Sequence, residues 1–457
     1  MVRTQNQQRD AAGPKRLLLI TFDFPPRRTS GIYRPSAFTK YFARHGWIPT
    51  ILTVQVRETD LQDPALLKKI PPQVELVRTK YLDITSWENP SAGAVRNLGG
   101  LAPQAGANHT SSLDRCLRSI AEFIRSCVYF PDNTVGWVPF GLAKAIQLIR
   151  QRRFDAIYSS SPPRSSVVIG LLLKVFFGLP WVAEFRDPWY PPERRLRRFM
   201  ERHLLRLIGR KADAIVVVTS GHAKELQSSD FGIEAEKISV VTNGFDEEDF
   251  VSRPISANNT LMPPGYIHLT HLGTVYPNCS GKFFEALKEL VRECPDVKQK
   301  LRVNVIGYPD DVVQRYASDE SLRSLVNLHG FVDHNQSLDV IRSSDCLLLF
   351  WANHDYAREA VAGKTYEYLR TGRPIFAITY DGPMKTLIEG ARAGWVAQPD
   401  DVAAMKQILA KIVSTNGSRP APDPARAEFV AQFQYERLAG QMLTIFEKVV
   451  NHGGQTS

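Results

Sequence analysis

A chain of 457 residues with 43% apolar and 23% charged side chains predicts two or three domains, each with a core of its own, and excludes a disordered or fibrous protein. Its five cysteines (Cys116, Cys127, Cys279, Cys294, Cys346) are scattered, odd in number and without CxxC spacing, which indicates neither a disulfide framework nor a zinc site and fits a reducing cytoplasm. A net charge of +10 calls for an acidic partner such as anionic lipid, nucleic acid or a phosphorylated substrate, without choosing among them.

The opening residues MVRTQNQQRDAAGPKR are polar and lack an apolar h-region, so residues 1–15 read as a disordered tail and not as a secretory signal. From Arg16 onward, short β-branched runs alternate with amphipathic stretches, the rhythm of a parallel α/β sheet. Strands are expected at Leu17–Phe22, Ile48–Val54, Val74–Thr79, Ala156–Ser160, Trp181–Phe185, Ala214–Val218 and Ile238–Val241, with helices at Pro35–His45, Val138–Gln151 and Glu193–Lys211. Ser86–Ser112, rich in Gly, Ala, Asn and Ser, reads as a mobile loop. The longest apolar run, Val167 to Ala183, is broken by Lys174, Gly178 and Pro180, so it predicts a buried helix and strand and not a membrane span of about 20 residues. These elements make a first Rossmann-like domain over residues 16–251.

A Pro-rich break at 252–265 reads as a linker, after which strands restart at Ile267–Leu272, Arg302–Ile306, Leu325–His329, Cys346–Phe350, Pro374–Ile378 and Gly394–Val396. They predict a second α/β domain over 266–425, and Ala427–Val450 then reads as one long amphipathic helix, within a final segment 426–450.

The run from Glu359 to Ile375 (EAVAGKTYEYLRTGRPI) places two carboxylates eight positions apart across a Gly-Lys turn, like the nucleotide-sugar signature of a glycosyltransferase. Gly363 before a helix lets backbone approach a ligand, and the first free N–H groups of that helix would face a diphosphate. Glu367 in the first turn can accept from ribose hydroxyls, and Glu359 in the preceding loop can reach the sugar. The same residues also read as an ordinary helix, Thr365 to Arg370, capped by Gly372 and followed by a buried strand.

In the first domain, the loop Phe24–Gly31 tops a parallel strand where open α/β sheets bind ligands; Gly31 would permit close approach, with Arg27, Arg28 and Arg34 as positive charge. Asp187, after a buried strand, should point the same way, with Arg186 beside it, unless the two simply pair. The helix Pro192–Lys211 carries eight Arg and Lys residues around Leu196, Phe199, Met200, Leu204, Leu207 and Ile208, which suits an anionic membrane surface or a sheet-packed surface helix. There is no HExxH, EF-hand loop, DxD between apolar strands, G-x-S-x-G elbow or Walker P-loop, so no metal or other cofactor is expected.

Taken in order, FDFPPRRTSGIYRP, PDNTVGW, FDAIYSSSPP, PWVAEFRDPW, ADAIVVVTSG, VVTNGFD, HLGTVYP and GKTYEYLRTGRPI resemble the retaining GT-B glycosyltransferases of family 4, in the bacterial branch that builds polysaccharides and glycoconjugates, over most of residues 16 to 450. The resemblance implies two facing Rossmann-like domains, the last helix crossing back to the first. It implies transfer of a sugar from a nucleotide-diphosphate donor to an acceptor hydroxyl with retention. Glu359 and Asp187 would be catalytic; Glu367, Gly363, Lys364, Thr365, Gly273, Thr274 and Lys282 would hold the donor; Gly31, Arg34 and Arg186 would line the acceptor side. Members commonly carry a Gly-Gly pair where this chain has Ser30 and Gly31, a His where it has Ser159 to Ser161, and an Arg where it has Thr274. Those departures keep open a non-catalytic sugar-nucleotide-binding scaffold subunit, and a GT-B sugar-nucleotide epimerase is a third reading. The basic helix extends the picture to a peripheral protein on the cytoplasmic face of the membrane acting on a lipid-linked acceptor, with no nucleic-acid partner.

Overall fold

The computed structural model describes residues 13–83, 129–189, 195–228, 230–251, 260–277, 279–352, 355–417 and 423–453. The expected loop Ser86–Ser112 and most of the expected linker lie outside them. The chain forms two compact units, one of Met1–Val241 with Ala439–Ser457 and one of Thr242–Leu438.

The first unit is built on a parallel sheet of seven strands, β1 (Lys15–Thr21), β2 (Trp47–Val54), β3 (Glu75–Thr79), β4 (Ala156–Ser161), β5 (Trp181–Phe185), β6 (Ala214–Val217) and β7 (Ile238–Val240), in the order β3-β2-β1-β4-β5-β6-β7. The connecting helices are α1 (Tyr33–Arg44), α2 (Val138–Gln151), α3 (Ser165–Phe177), α4 (Arg195–Lys211) and α5 (Ser220–Gln227). The apolar run resolves as expected into α3, closed by Gly178 in the left-handed conformation (φ 67°), and the wholly buried β5. Strand β4 is buried although it ends in three serines, because Ser159 accepts from the Trp181 indole at 2.9 Å and Ser160 donates to Glu184 at 2.6 Å.

The second unit repeats the plan with β8 (Ile267–Leu272), β9 (Leu301–Ile306), β10 (Val326–Gly330), β11 (Cys346–Trp351), β12 (Ile375–Thr379) and β13 (Gly394–Ala397), all parallel, in the order β10-β9-β8-β11-β12-β13. Its helices include α6 (Gly281–Glu293), α7 (Asp311–Ser318), α8 (His334–Ser343), α9 (Lys364–Thr371), α10 (Pro383–Gly390) and α11 (Val402–Ser414). In both sheets the chain first builds outward on one side and then returns to the other, so the order reverses between β1 and β4 and between β8 and β11. Ligands of open α/β sheets bind beyond the strand C-termini at such reversals.

Two expectations need correction. The single helix Ala427–Val450 is two, α12 (Pro424–Ala431) and α13 (Tyr435–Gly453), because Phe245 bonds to the backbone of Phe433 (3.0 Å) and Tyr435 (2.9 Å) and prevents a continuous helix. The same pairing draws residues 242–251 into the second unit, so the division falls at Val241 and not within 252–265. From Ala439 onward α13 belongs to the first unit: Phe446 packs edge-on to Phe42 and Tyr158 and against Trp47, at centroid distances of 5.4 to 5.5 Å. Burying one such ring stabilises by about 1.5–3 kcal/mol, enough to hold the helix in place. Among the described residues no helix is long and apolar enough to cross a membrane.

Candidate functional site

The richest constellation lies at the C-terminal end of β8, at the second unit's order reversal. The β8–β11 ladder reaches only Thr270, and the last residue of the strand, Leu272, bonds instead to side chains of α9. Its N–H donates to the Tyr368 hydroxyl at 2.9 Å and its carbonyl accepts from the Lys364 ammonium at 2.6 Å. Lys364 and Tyr368 are four apart, so they share one face of the helix and fasten it to the strand end. A further fastening comes from Arg370, which makes a two-pronged ion pair with Glu247 (2.6 and 2.5 Å). Gly372 closes α9 at φ 71°.

Lys364 also lies 3.2 Å from Nε2 of His271, a fully buried residue whose Nδ1 faces the Leu348 carbonyl at 3.1 Å. A carbonyl can only accept, so Nδ1 carries the proton and Nε2 offers its lone pair to Lys364. Burial, and then the neighbouring ammonium, hold the ring well below the ordinary histidine range, so it is neutral. Burial lowers Lys364 itself to about 7. Next to it stands Gly273, whose φ of 106° disfavours any side chain, and a Cβ there would come within 3.3 Å of the Lys364 ammonium.

The predicted donor residues fall into two groups. Gly363, Lys364, Glu367 and Gly273 gather at this strand end and helix start, with Glu367 in the first turn of α9 and partly buried. Gly363 is exposed at an ordinary helical φ of −55°, and a Cβ built on it would touch nothing within 4 Å, so the fold itself has no need of glycine there. Thr274 follows Gly273 half-buried, while Val275 resumes pairing by donating to the Tyr308 carbonyl at 2.9 Å. Two members stand differently from expectation. The Thr365 hydroxyl is fully buried on the Met384 sulfur at 3.3 Å, and its N–H is taken by the Ala362 carbonyl, so an anion's approach is left at Gly363 and Lys364. Lys282 is exposed on α6 and paired with Glu285 one turn away at 2.9 Å. Glu359 closes a one-turn helix, Asp355–Glu359, instead of lying in loop.

In the first unit, the side chains at the order reversal serve the fold. Arg186 donates to the carbonyls of Gly31, of Pro162 (2.5 Å) and of Ser161 (3.3 Å), tying together the loops that follow β1, β4 and β5. A Cβ on Gly31 would meet that guanidinium at 3.2 Å, so the glycine makes room for Arg186. The charge expected of Arg34 and Arg27 is neutralised internally. Arg34, buried in α1, pairs with buried Glu184 at 2.8 Å and donates to the Val241 carbonyl at 2.9 Å, and Arg27 pairs with Asp23 (3.0 Å) and Asp60 (3.4 Å). Burial pushes the Glu184 carboxyl up, but Arg34 and Ser160 outweigh it and leave it below the ordinary range. Asp187 is exposed just past β5.

The basic helix also divides. Arg197 pairs with buried Glu201 at 2.7 Å, and Arg202 pairs with Asp230 at 2.8 Å. Leu205 and Ile208 face the core, whereas Leu196, Phe199 and Leu207 are exposed. Phe199, Met200, Leu204 and Leu207 line, with Phe130, a cavity of about 560 Å³. Among the described residues no group of three or more His, Cys, Asp or Glu could hold a metal ion.

His271, Tyr368 and Glu247 escaped sequence reasoning. His271 sits inside a run that reads simply as buried strand, and the one available signal for Tyr368 is its four-residue spacing from Lys364.

Comparison with known proteins gives this geometry its context. Residues 107–249 match the model for Glycosyltransferase Family 4, and residues 274–415 match that for Glycosyl transferases group 1. No curated protein matches the sequence. Among solved structures, Anabaena HepE in complex with UDP is 15% identical with a TM-score of 0.60, over 95% of this chain and 100% of that one. Sucrose-phosphate synthase from Thermosynechococcus elongatus is 14% identical with a TM-score of 0.63, over 96% of this chain and 100% of its own. A putative UDP-N-acetylglucosamine 2-epimerase from Listeria monocytogenes is 11% identical with a TM-score of 0.53, over 98% of both chains. With two Rossmann-like parallel sheets and matched family segments in both units, the chain belongs to the GT-B glycosyltransferases of the family 4 and group 1 type.

Proposed function

We propose that the protein transfers a sugar from a nucleotide-diphosphate donor to an acceptor hydroxyl with retention at the anomeric carbon, the donor held by the second unit and the acceptor by the first. The observation that carries this reading is the β8 end, where Gly363, Lys364 and Glu367 converge beside Gly273 at a strand-order reversal. Glu367 would take the ribose hydroxyls, Lys364 the diphosphate and Glu359 the sugar. The HepE structures that resemble this fold were solved with UDP and with UDP-glucose, which supports a nucleotide-sugar donor.

The chemistry required is positioning and stabilisation of charge on the leaving diphosphate. Ser159 and Ser160, where the family commonly carries a histidine, are buried within β4 and bonded internally, so no base comes from there. Substrate-assisted attack on the face the diphosphate leaves then accounts for retention. With Lys364 as the compensating cation, transfer should proceed without a metal ion. The exposed Phe199 and Leu207 among the arginines of α4 suit an anionic membrane surface, which favours a lipid-linked acceptor in polysaccharide or glycoconjugate synthesis on its cytoplasmic side.

Nucleoside diphosphate released from a panel of donors and acceptors, in excess EDTA and with added Mg²⁺ or Mn²⁺, tests the reading. Metal-independent release coupled to transfer is the expected result. Interconversion of donors would favour an epimerase, for which the Listeria resemblance gives some ground, and tight binding without turnover would favour a scaffold subunit.

A further inference from the structure

We propose that His271 is a positioning residue for donor binding, holding the Lys364 ammonium beside Gly273 so that the ammonium's remaining proton bonds to the donor diphosphate. The inference rests on the nucleotide-sugar reading above, which gives Lys364 to the diphosphate, and adds to it what aims that ammonium.

An ammonium has three protons and no fixed fork, so its direction is set by what it touches. Two directions are used here, by the Leu272 carbonyl at 2.6 Å and by His271 Nε2 at 3.2 Å. His271 can hold its side of the arrangement because it cannot turn: it is 0% exposed, tethered through Nδ1 to the Leu348 carbonyl and packed 5.1 Å from the Phe350 ring. Gly273 stands beside the same nitrogen, where a Cβ built on it would come within 3.3 Å, so a ligand at Gly273 is within reach of the third proton. The loop that follows offers Thr274 and no cation, and Lys282 is engaged with Glu285 on the exposed side of α6.

The titratable groups around Lys364 leave it as the source of positive charge. His271 is held neutral, the Cys279 thiol is pushed up to about 11 by burial, and burial also raises the Tyr368 hydroxyl, so each is uncharged near neutrality. A diphosphate at Gly273 therefore draws a proton onto Lys364 wherever the empty site leaves it partly neutral.

The test is calorimetric titration of the full chain with UDP, GDP, ADP and dTDP at pH 8, in two buffers of different ionisation heat, with the nucleoside of the tightest binder as control. Wild type is expected to take up a proton with the diphosphate and none with the nucleoside. Lys364→Met should lose that uptake together with a factor of about 10 to 100 in diphosphate affinity, the loss of one charged hydrogen bond. His271→Leu should lose about tenfold in diphosphate affinity while keeping its nucleoside affinity. His271→Gln should recover most of that loss, since an amide can donate to the Leu348 carbonyl and accept from Lys364. A folded His271→Leu with wild-type diphosphate affinity overturns the inference. Should that variant not fold, a folded His271→Gln that loses tenfold or more in diphosphate affinity with its nucleoside affinity intact, or a Lys364→Met that binds with unchanged affinity and proton uptake, overturns it equally. If wild type binds none of the four diphosphates, the nucleotide-sugar reading has itself failed and takes the inference with it.

Discussion

Lys364→Met should change the pH dependence of folding stability in a direction that separates a cation kept for a ligand from an ordinary structural tether. In the folded chain burial lowers Lys364 to about 7, against about 10.4 for a lysine in the unfolded chain. At 1.36 kcal/mol per unit, the cost of keeping the folded lysine charged has a ceiling of about 5 kcal/mol. The side chain is only partly buried, so screening by water reduces that ceiling to about 2–3 kcal/mol. The sign follows from proton counting. Between pH 7 and about 10.4 the unfolded chain holds this proton and the folded chain increasingly does not, so wild-type stability gains from this site as pH rises. Methionine removes that gain and also strands the Leu272 carbonyl, which costs about 1–3 kcal/mol at any pH. Near pH 7 the two effects nearly cancel; near pH 10 only the carbonyl's loss remains. Urea unfolding at pH 7 and pH 10, followed by tryptophan fluorescence, should show the difference between variant and wild type swing by about 2–3 kcal/mol against the variant. Parallel stability curves would refute the reasoning and leave Lys364 a plain tether between α9 and β8.

Three further outcomes follow from the first unit. Glu184→Ala strands the buried Arg34 guanidinium and should destabilise by about 3–5 kcal/mol in urea unfolding, while leaving nucleotide affinity, which the proposed function places in the second unit, unchanged. His222 is fully buried, neither ring nitrogen has a hydrogen-bond partner among the described residues, and burial lowers it to about 4, so stability should fall as pH drops from about 6.5 to 4, by about 3 kcal/mol in all; His222→Leu should flatten that part of the acid curve, seen as a smaller pH 7 to pH 4.5 difference in urea midpoint. Anionic vesicles should sediment wild type at low salt, and Phe199→Ser combined with Arg195→Glu and Arg198→Glu should abolish this, each exposed arginine contributing about 1 kcal/mol; binding indifferent to the variant would place the membrane contact elsewhere.

The fold was legible because its signal is periodic. Each of the thirteen expected strands is present within a residue or two, since parallel strands covered on both faces read as continuous apolar runs. The broken last helix was not, because the pairing of Phe245 with residues 433–435 joins positions far apart in sequence. At the candidate site, Gly363, Lys364 and Glu367 were visible through their spacing around one helix start. Their partners were not: His271 and Tyr368 become polar contacts of Lys364 and Leu272 only once α9 lies across the end of β8. The arginines show the opposite failure. Sequence counts Arg27, Arg34, Arg197 and Arg202 as available charge, whereas the fold pairs each with a carboxylate, two of which, Glu184 and Glu201, are buried.

The central claim, that a nucleotide diphosphate binds at the start of α9 beside the β8 end, is tested most directly by nucleoside-diphosphate affinity in wild type and in Glu367→Ala, with thermal unfolding of each alongside. Glu367 is a partly buried residue in the first turn of α9, and the thermal unfolding separates what its removal costs the fold from what it costs binding. Loss of a charge-assisted pair with the ribose, about 1.5–3 kcal/mol, should weaken binding by a factor of about 10 to 150. A Glu367→Ala protein that is equally stable and binds its diphosphate as tightly as wild type would contradict the account.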